Sequence, residues 1–324
     1  MAIIYDSYGP PDVLRYEEVD KPSPGESEVL IKVRAASINP YDWHFMRGLP
    51  YPLRLMAGLR RPKHGRLGVD AAGQVEAVGR SVTQFKPGDE VFGTCKGALA
   101  EYACAAETTL AIKPRNITFK EAASVPIAGL TALQGLRDKG RIQPGQRVLI
   151  NGAAGGVGTF AVQIAKHFGA QVTGVCGTRN VELVRSLGAD QVIDYTQQDF
   201  TKSDEHVDLM LDCVGNRSLA ACRRVLSPKG IYVGVGAITG RWMLGVLVRA
   251  FAALLMAPFV GQKFESFMAK LKKEDLNTLS ELMSEGNLKP VIDRRYSLRE
   301  VPEAVRYLEE GHARGKVVID LEAP

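Results

Sequence analysis

Cross-linking chemistry is nearly absent from this chain of 324 residues. Its five cysteines, Cys95, Cys104, Cys176, Cys213 and Cys222, are odd in number, far apart and form no CxxC pair. That excludes a disulfide framework and a structural zinc ribbon, and it fits a reducing compartment, the cytoplasm. A leading apolar stretch is also missing: the chain reaches Asp6 before any long hydrophobic run, so no secretory signal is read. Only residues 242–260 approach the length of a membrane span, and Arg249 lies near their middle. An arginine there costs roughly 2.5 to 3.5 kcal/mol on insertion, so a buried helix or a helix between subunits is expected instead. Charge of one sign is scarce too, with 41 basic against 36 acidic residues and a net +5. With no recognisable nucleic-acid module, this balance excludes a nucleic-acid binder as the reading.

The small excess is local. Between Asp42 and Asp70 there is no acidic residue but six basic ones, Arg47, Arg54, Arg60, Arg61, Lys63 and Arg66. Outside this window the chain carries 35 basic against 36 acidic side chains and is near neutral. A 45% hydrophobic and 24% charged composition is that of a globular protein long enough for two domains.

The early part of the chain reads as short strands broken by turns. Residues 28–36 alternate apolar and polar after a Pro-Ser-Pro-Gly turn, and residues 70–78 and 90–92 behave alike around Lys86-Pro87-Gly88-Asp89. From about Glu121 strands and helices alternate: strands at 147–151, 171–175, 192–194, 207–212 and 230–235, helices at 158–168 and 181–187. Repeated βαβ units imply a parallel sheet covered by helices on both faces. After about Phe267 come helices at 274–284 and 301–309 and a terminal strand at 316–321, which needs a partner sheet and finds one in the early β-rich region. The expected division is an α/β arrangement: residues 1–122 β-rich, 123–267 doubly wound, and 268–324 returning to the first domain.

The chemical signal is NGAAGGVG, residues 151–158, directly after the strand Val148-Leu149-Ile150 and directly before a helix. In a dinucleotide-binding turn the first small residue makes the tight bend, the second lets the backbone approach a pyrophosphate and the third lets helix and sheet pack closely. Ala153, Gly155 and Gly158 occupy those places, so the first departs from the usual glycine. Gly156 and Val157 lead into the helix that directs N–H groups at the phosphates, and are expected to contact them. An NAD-specific site wants a carboxylate about twenty residues on, at the end of the second strand. The sequence there is Val175-Cys176-Gly177-Thr178-Arg179-Asn180, without an acid. A small residue followed by a hydroxyl and a guanidinium suits the 2′-phosphate of NADPH, with Thr178 and Arg179 as its ligands.

The turn extended as NGAAGGVGTFAVQIAK, the segments PIAGLTA at 126–132 and GVDAAG at 68–73, Val78-Gly79, and FKPGDEV at 85–91 resemble the medium-chain dehydrogenase/reductase superfamily. Within it the likeness is to the zinc-free quinone oxidoreductases, and it runs from Tyr5 to Leu321. It implies a GroES-like catalytic domain formed by both ends of the chain, an inserted Rossmann domain, and pairing into a homodimer through the Rossmann domains. It also implies that Tyr195 lies near the adenosine phosphate. Cys213 and Val214, then Val235 and Gly236, close strands at the cofactor crevice, though each is also readable as sheet core. A strand-end Cys213 in apolar surroundings is no nucleophile.

Against the zinc-dependent branch, the first ligand position reads Asn39, the His of the Gly-His-Glu motif reads Val69, and the last position offers Pro126 and Ile127. Catalytic zinc needs three protein ligands, so no metal is expected. Without one, a developing alkoxide is difficult to stabilise, whereas a quinone or an α,β-unsaturated carbonyl delocalises the charge. The resemblance places Asn39 and Tyr41 in the active-site loop: Asn39 to bond the substrate oxygen or the nicotinamide ribose, Tyr41 to donate a proton or stack on a ring. Asp42 and His44 are second choices, and solvent is an equal source of the proton. The expected activity is NADPH-dependent reduction of a small lipophilic quinone or enone; the alternatives are a non-catalytic NADPH-binding sensor and an alcohol dehydrogenase with an unorthodox site. The apolar residues 242–260 and the basic window together suit a large lipophilic substrate or weak contact with an anionic membrane surface.

Overall fold

The computed structural model describes residues 1–235 and 260–322. It contains two compact units, one formed by Met1–Leu130 with Leu271–Pro324 and the other by Thr131–Lys270.

In the first unit β1 (Ala2–Ile4) and β2 (Arg15–Glu17) make a small antiparallel pair. The long strand β3 (Glu28–Ile38) is the spine of the main sheet. It pairs antiparallel with β4 (Asp70–Val78) and with β6 (Tyr102–Ala106); β4 pairs with β5 (Glu90–Thr94), and β5 with β7 (Leu110–Ile112). Along β3, Val29, Ile31, Val33 and Ile38 join Val75, Val91 and Leu110 in one core. The end of β3 is enclosed throughout, with Ala35, Ala36, Ser37 and Ile38 at most 1% exposed, so that a polar residue there must find its partners inside. Directly afterwards the chain turns into a helix, Pro40–Arg47. Asn39 caps it with extended backbone, Pro40 takes the first helical position with its fixed φ, and the Asp42 carboxylate accepts from the Asn39 N–H at 2.7 Å.

The second unit is a six-stranded, wholly parallel sheet: β8 (Arg147–Asn151), β9 (Gln171–Cys176), β10 (Gln191–Asp194), β11 (Val207–Asp212), β12 (Leu226–Gly234) and β13 (Lys263–Ser266). The spatial order is β10-β9-β8-β11-β12-β13, the doubly wound order in which the winding reverses between the first and fourth strands and ligands bind at that reversal. Val148, Leu149 and Ile150 of β8 and Leu209, Met210 and Leu211 of β11 are buried, the continuous apolar runs that a sheet covered on both faces demands. The helix after β8 spans Gly156–His167, starting two residues before the expected position because Gly155, with extended backbone, is its cap. β12 likewise begins earlier than expected, at Leu226. Gly236, and residues 242–260 apart from Val260, lie outside the described residues.

The chain then returns to the first unit through the helix Lys273–Ser284, β14 (Ile292–Ser297), the helix Val301–Glu309 and β15 (Lys316–Asp320). β15 pairs antiparallel with β3 and parallel with β14, giving the order β14-β15-β3-β4-β5-β7 with β6 also on β3. Val317, Val318 and Ile319 are fully buried. Among the described residues no helix is long and apolar enough to cross a membrane.

Candidate functional site

At the end of β8 the backbone turns sharply, and the residue in the left-handed region is Gly152, at φ +83°. A Cβ on Gly152 would stand 2.7 Å from Val214 Cγ2, so this glycine both bends the chain and makes room for the loop after β11. This corrects the reading of Ala153 as the bend. Ala153 is fully buried and gives its N–H to Val175 O at 3.0 Å, so it packs the turn against β9 and offers nothing to a ligand. Gly158 does what the sequence implies, since a Cβ there would fall 2.1 Å from Gly152 O and 2.7 Å from Ala153 Cα. At Gly155, in contrast, a Cβ would meet only Gly152 O, at 3.4 Å. Space beside Gly155 is open, as close approach of a phosphate requires. The first N–H groups of the helix, at Gly156 and Val157, have no acceptor within it and carry the positive end of the helix dipole.

A buried carboxylate at the end of β11 fixes this crevice. Asp212, 1% exposed at the end of β11, accepts from Asn151 Nδ2 at 2.8 Å, Gly215 N at 2.8 Å, Val214 N at 3.1 Å and Tyr232 OH at 2.6 Å. It thereby locks the start of the phosphate turn to the loop holding Cys213 and Val214. Val235 follows, buried, its N–H on Asp212 O. Burial pushes the Cys213 thiol far up, and Asp212 beside it adds to the shift, so this sulfur stays protonated and unreactive.

At the far end of the crevice Thr178 and Arg179 are exposed just after β9, and Tyr195 is 51% exposed just after β10. The Tyr195 hydroxyl lies 3.2 Å from where a Gly177 Cβ would be, so ring and glycine abut. The acid missing from the sequence after β9 arrives across the sheet, because Asp194 pairs in register with Cys176. Its carboxylate accepts from Thr178 Oγ1 at 2.6 Å, Thr196 N at 3.0 Å, Thr196 Oγ1 at 2.8 Å and Gln197 Nε2 at 3.0 Å. The Thr178 hydroxyl foremost, with these other donors, holds Asp194 below the usual carboxylate range. The Thr178 hydroxyl therefore spends its hydrogen on Asp194 and offers a ligand only its oxygen lone pairs.

In the first unit the residues expected to act on substrate divide. Tyr41 is 46% exposed, its ring 4.3 Å from that of Phe45. Partial burial, and then the charge of Asp42, push its pKa up, so the hydroxyl keeps its proton. Asn39 is 3% exposed and belongs to a buried polar cluster where three strand ends meet. Its Nδ2 donates to Asp70 Oδ2 at 2.9 Å and its Oδ1 accepts from Lys316 Nζ at 2.6 Å. Asp70 also accepts from Ser37 Oγ at 3.2 Å and Ile127 N at 3.1 Å, and Lys316 Nζ stands 3.6 Å from Asp70 Oδ2. The expected bond from Asn39 to a ligand is thus replaced by an internal one. His44, of the second choices, is buried and its Nδ1 lies 2.9 Å from Leu49 O; burial lowers its pKa and leaves it neutral. Asp70 and Lys316 went unread, although an acid opening the small apolar strand Asp70-Ala71-Ala72-Gly73 was a signal that it needs a buried partner.

Among the described residues no three His, Cys, Asp or Glu side chains gather as a metal site. The side chains of Asn39, Val69, Pro126 and Ile127 supply no thiolate or imidazole, so they do not fit zinc.

Residues 25–115 match the alcohol dehydrogenase GroES-like domain family, and residues 187–319 match a family described as zinc-binding dehydrogenase. The quinone oxidoreductase of Escherichia coli, solved in complex with NADPH, superposes with a TM-score of 0.81 at 27% identity, covering 98% of this chain and 99% of that one. A GroES-like domain joined to a Rossmann-like parallel sheet defines a medium-chain dehydrogenase/reductase. A chloroplastic quinone-oxidoreductase, QR1, of Triphysaria versicolor is 36% identical over 335 residues, 98% of each chain, and the 2-methylene-furan-3-one reductase of Solanum lycopersicum is 36% identical over 331 residues, 97% of this chain and 77% of that one. With relatives this close along its whole length, the chain belongs to the quinone oxidoreductase-like family of that superfamily, whose members are nicotinamide-dependent oxidoreductases.

The two glycines separate folding from binding. Gly155→Ala is expected to leave the melting temperature within about 1 °C while weakening cofactor binding tenfold or more, because only a ligand contests its space; Gly158→Ala is expected to lower the melting temperature itself by several degrees, roughly 2–4 °C per kcal/mol lost. Calorimetry with and without NADPH reads both.

Asp42 gives a pH signature. Burial foremost, with the nearby Asp70 charge, pushes its carboxyl up to about 7. The folded chain then holds a proton that the unfolded chain releases near pH 4, so this contribution to stability is complete below that value and is lost as pH rises through about 7. Thermal melts between pH 5 and 8 should fall with pH for the wild type and flatten for Asp42→Asn; parallel profiles would assign the titration elsewhere.

Proposed function

We propose that this protein is an NADPH-dependent reductase that transfers hydride, without a metal, to lipophilic quinones or α,β-unsaturated carbonyl compounds, acting as a cytoplasmic homodimer. The observation that carries the reading is the pairing of a complete phosphate-binding turn with zinc positions filled by Asn39, Val69, Pro126 and Ile127, which have no thiolate or imidazole to offer. A substrate that spreads negative charge over an enolate or hydroquinone oxygen needs only neutral donors. The relatives' names, quinone-oxidoreductase and 2-methylene-furan-3-one reductase, fall in these two substrate classes. Five free cysteines suit a reducing compartment.

NADPH supplies the hydride when bound. The N–H groups of Gly156 and Val157 receive its pyrophosphate beside the open face of Gly155, and Arg179 pairs with the 2′-phosphate. Tyr195 covers the adenosine side, and Cys213, Val214 and Val235 close the crevice at the nicotinamide ribose. Tyr41, held protonated, donates to the substrate oxygen. Asn39 positions Tyr41 through its cap on the helix Pro40–Arg47 and its bonds to Asp70 and Lys316. A second reading, NADH, is favoured by one observation, the Asp194 carboxylate 2.6 Å from Thr178 Oγ1. Its four donors leave that carboxylate with little capacity for a ribose diol, which supports NADPH.

Arg179→Ala is expected to raise KM for NADPH by ~10- to 100-fold, the worth of a charge-assisted bond, and to change KM for NADH by no more than about twofold. Equal changes for both cofactors would refute the assignment.

The activity is tested by NADPH oxidation over a panel of benzoquinones, naphthoquinones and cyclic enones. Turnover is expected with these and no reduction of NADP⁺ by alcohols; cofactor binding without turnover would make the chain a sensor. Tyr41→Phe should lower kcat on enones by roughly 100-fold with the NADPH dissociation constant unchanged, and an unchanged kcat would assign the proton to solvent.

A further inference from the structure

The six basic residues of the window 43–69 fall into two sets. Arg47 pairs with Glu309, and Arg54 donates to Gly48 O at 2.9 Å while its guanidinium lies 4.5 Å from the Tyr8 ring and 5.1 Å from that of Tyr51. Both are spent on the fold. Arg60, Arg61, Lys63 and Arg66 are exposed, and none makes an ion pair among the described residues. Immediately before them in the chain stand Leu55, Met56 and Leu59, exposed by 71%, 73% and 68%. Three large apolar side chains this bare within five residues are unusual on a protein surface, and uncompensated cations follow them directly along the chain.

The loop that carries them is tied down at its base. Gly58 N–H donates to Arg54 O at 2.8 Å, Lys63 N–H to Ala57 O at 2.7 Å, the Tyr8 hydroxyl to Gly58 O at 2.6 Å and Tyr5 N–H to Gly65 O at 2.9 Å. These bonds hold the loop's backbone from within, and among the described residues the three apolar tips stay exposed. Exposed apolar side chains on a fixed loop, next to a run of Lys and Arg with no acid in the window, are complementary to one kind of partner: an anionic lipid surface, whose headgroups meet the cations while its acyl boundary takes the tips. An acidic protein or a nucleic acid would match the charge but leave Leu55, Met56 and Leu59 in water.

We infer that the segment 55–66 is a docking site for anionic membranes, seating Leu55, Met56 and Leu59 at the acyl boundary and Arg60, Arg61, Lys63 and Arg66 among the headgroups. This is peripheral contact and needs no spanning helix. It stands on the first unit alone and is independent of which substrate the enzyme reduces. Each basic side chain near such a surface is worth roughly fivefold in affinity, and removing three should cost on the order of 100-fold.

The test is sedimentation of the full chain with phosphatidylcholine vesicles and with vesicles holding roughly 30 mol % phosphatidylserine, at low and high salt. Binding is expected to the anionic vesicles at low salt, with little to the neutral ones. Arg60→Gln/Arg61→Gln/Lys63→Gln should lose it by about 100-fold, and Leu55→Ser/Met56→Ser/Leu59→Ser by roughly tenfold or more, both with unchanged melting temperatures since all six side chains are exposed. No binding to anionic vesicles at low salt would overturn the inference. So would binding that either triple variant retains in full, or binding to heparin or DNA that vesicles fail to displace.

Discussion

One buried amine holds the first unit to itself. Lys316 opens the last strand, its Nζ bonds the Asn39 amide oxygen at the end of β3, and it stands beside Asp70 at the start of β4. Burial pushes Asp70 up and Lys316 down, each partly offset by the charge of the other. A pair of this kind adds little net stability over apolar packing, yet removing one member strands the other, at a cost of about 3–5 kcal/mol. Its value is positional. Three strand ends, two of them 31 residues apart and the third 277 residues beyond the first, are brought to one point, and the helix carrying Tyr41 starts from that point.

The second unit solves the same problem with a single acid. Asp212 gathers Asn151, Val214, Gly215 and Tyr232 around one carboxylate, so the turn after β8 and the loop after β11 cannot move independently. In both units a buried acid with several donors gives a loop the rigidity of the sheet beside it. The exposed residues proposed to meet ligands, Tyr41 in one unit and Arg179 in the other, ride on these anchors or follow directly from the strands next to them.

Strand and helix identity was largely legible in the sequence, because period and punctuation are local: βαβ alternation gave the parallel sheet, and the apolar run at 316–321 required a partner. The phosphate turn was legible as a motif, but the residue in the left-handed conformation was not, since Gly152 and Ala153 differ in role only through the loop after β11 that abuts Gly152. The acid beside Thr178 was invisible for a related reason. Asp194 is near Thr178 through the register of β10 on β9, a non-local fact that a search after β9 alone cannot find. Asn39 was read as a ligand donor because its neighbours in sequence allow that; the partners that claim it, Asp70 and Lys316, come from β4 and β15. Asn39-Pro40 with an acid at position 42 was nevertheless a readable helix start.

The pairing of β15 with β3 has a consequence for the order in which the molecule can be completed. The first unit is interrupted by the whole of the second, and its sheet lacks an inner member until the last residues are made. During synthesis the parallel sheet, contiguous from Thr131 to Lys270, has all its strands available well before the unit that precedes it. Until Lys316 emerges, Asn39 and Asp70 have no cation, and the edge of β3 that will bind β15 is an open template. The chain therefore matures from the middle outward, and its N-terminal half is finished by its C-terminal tail.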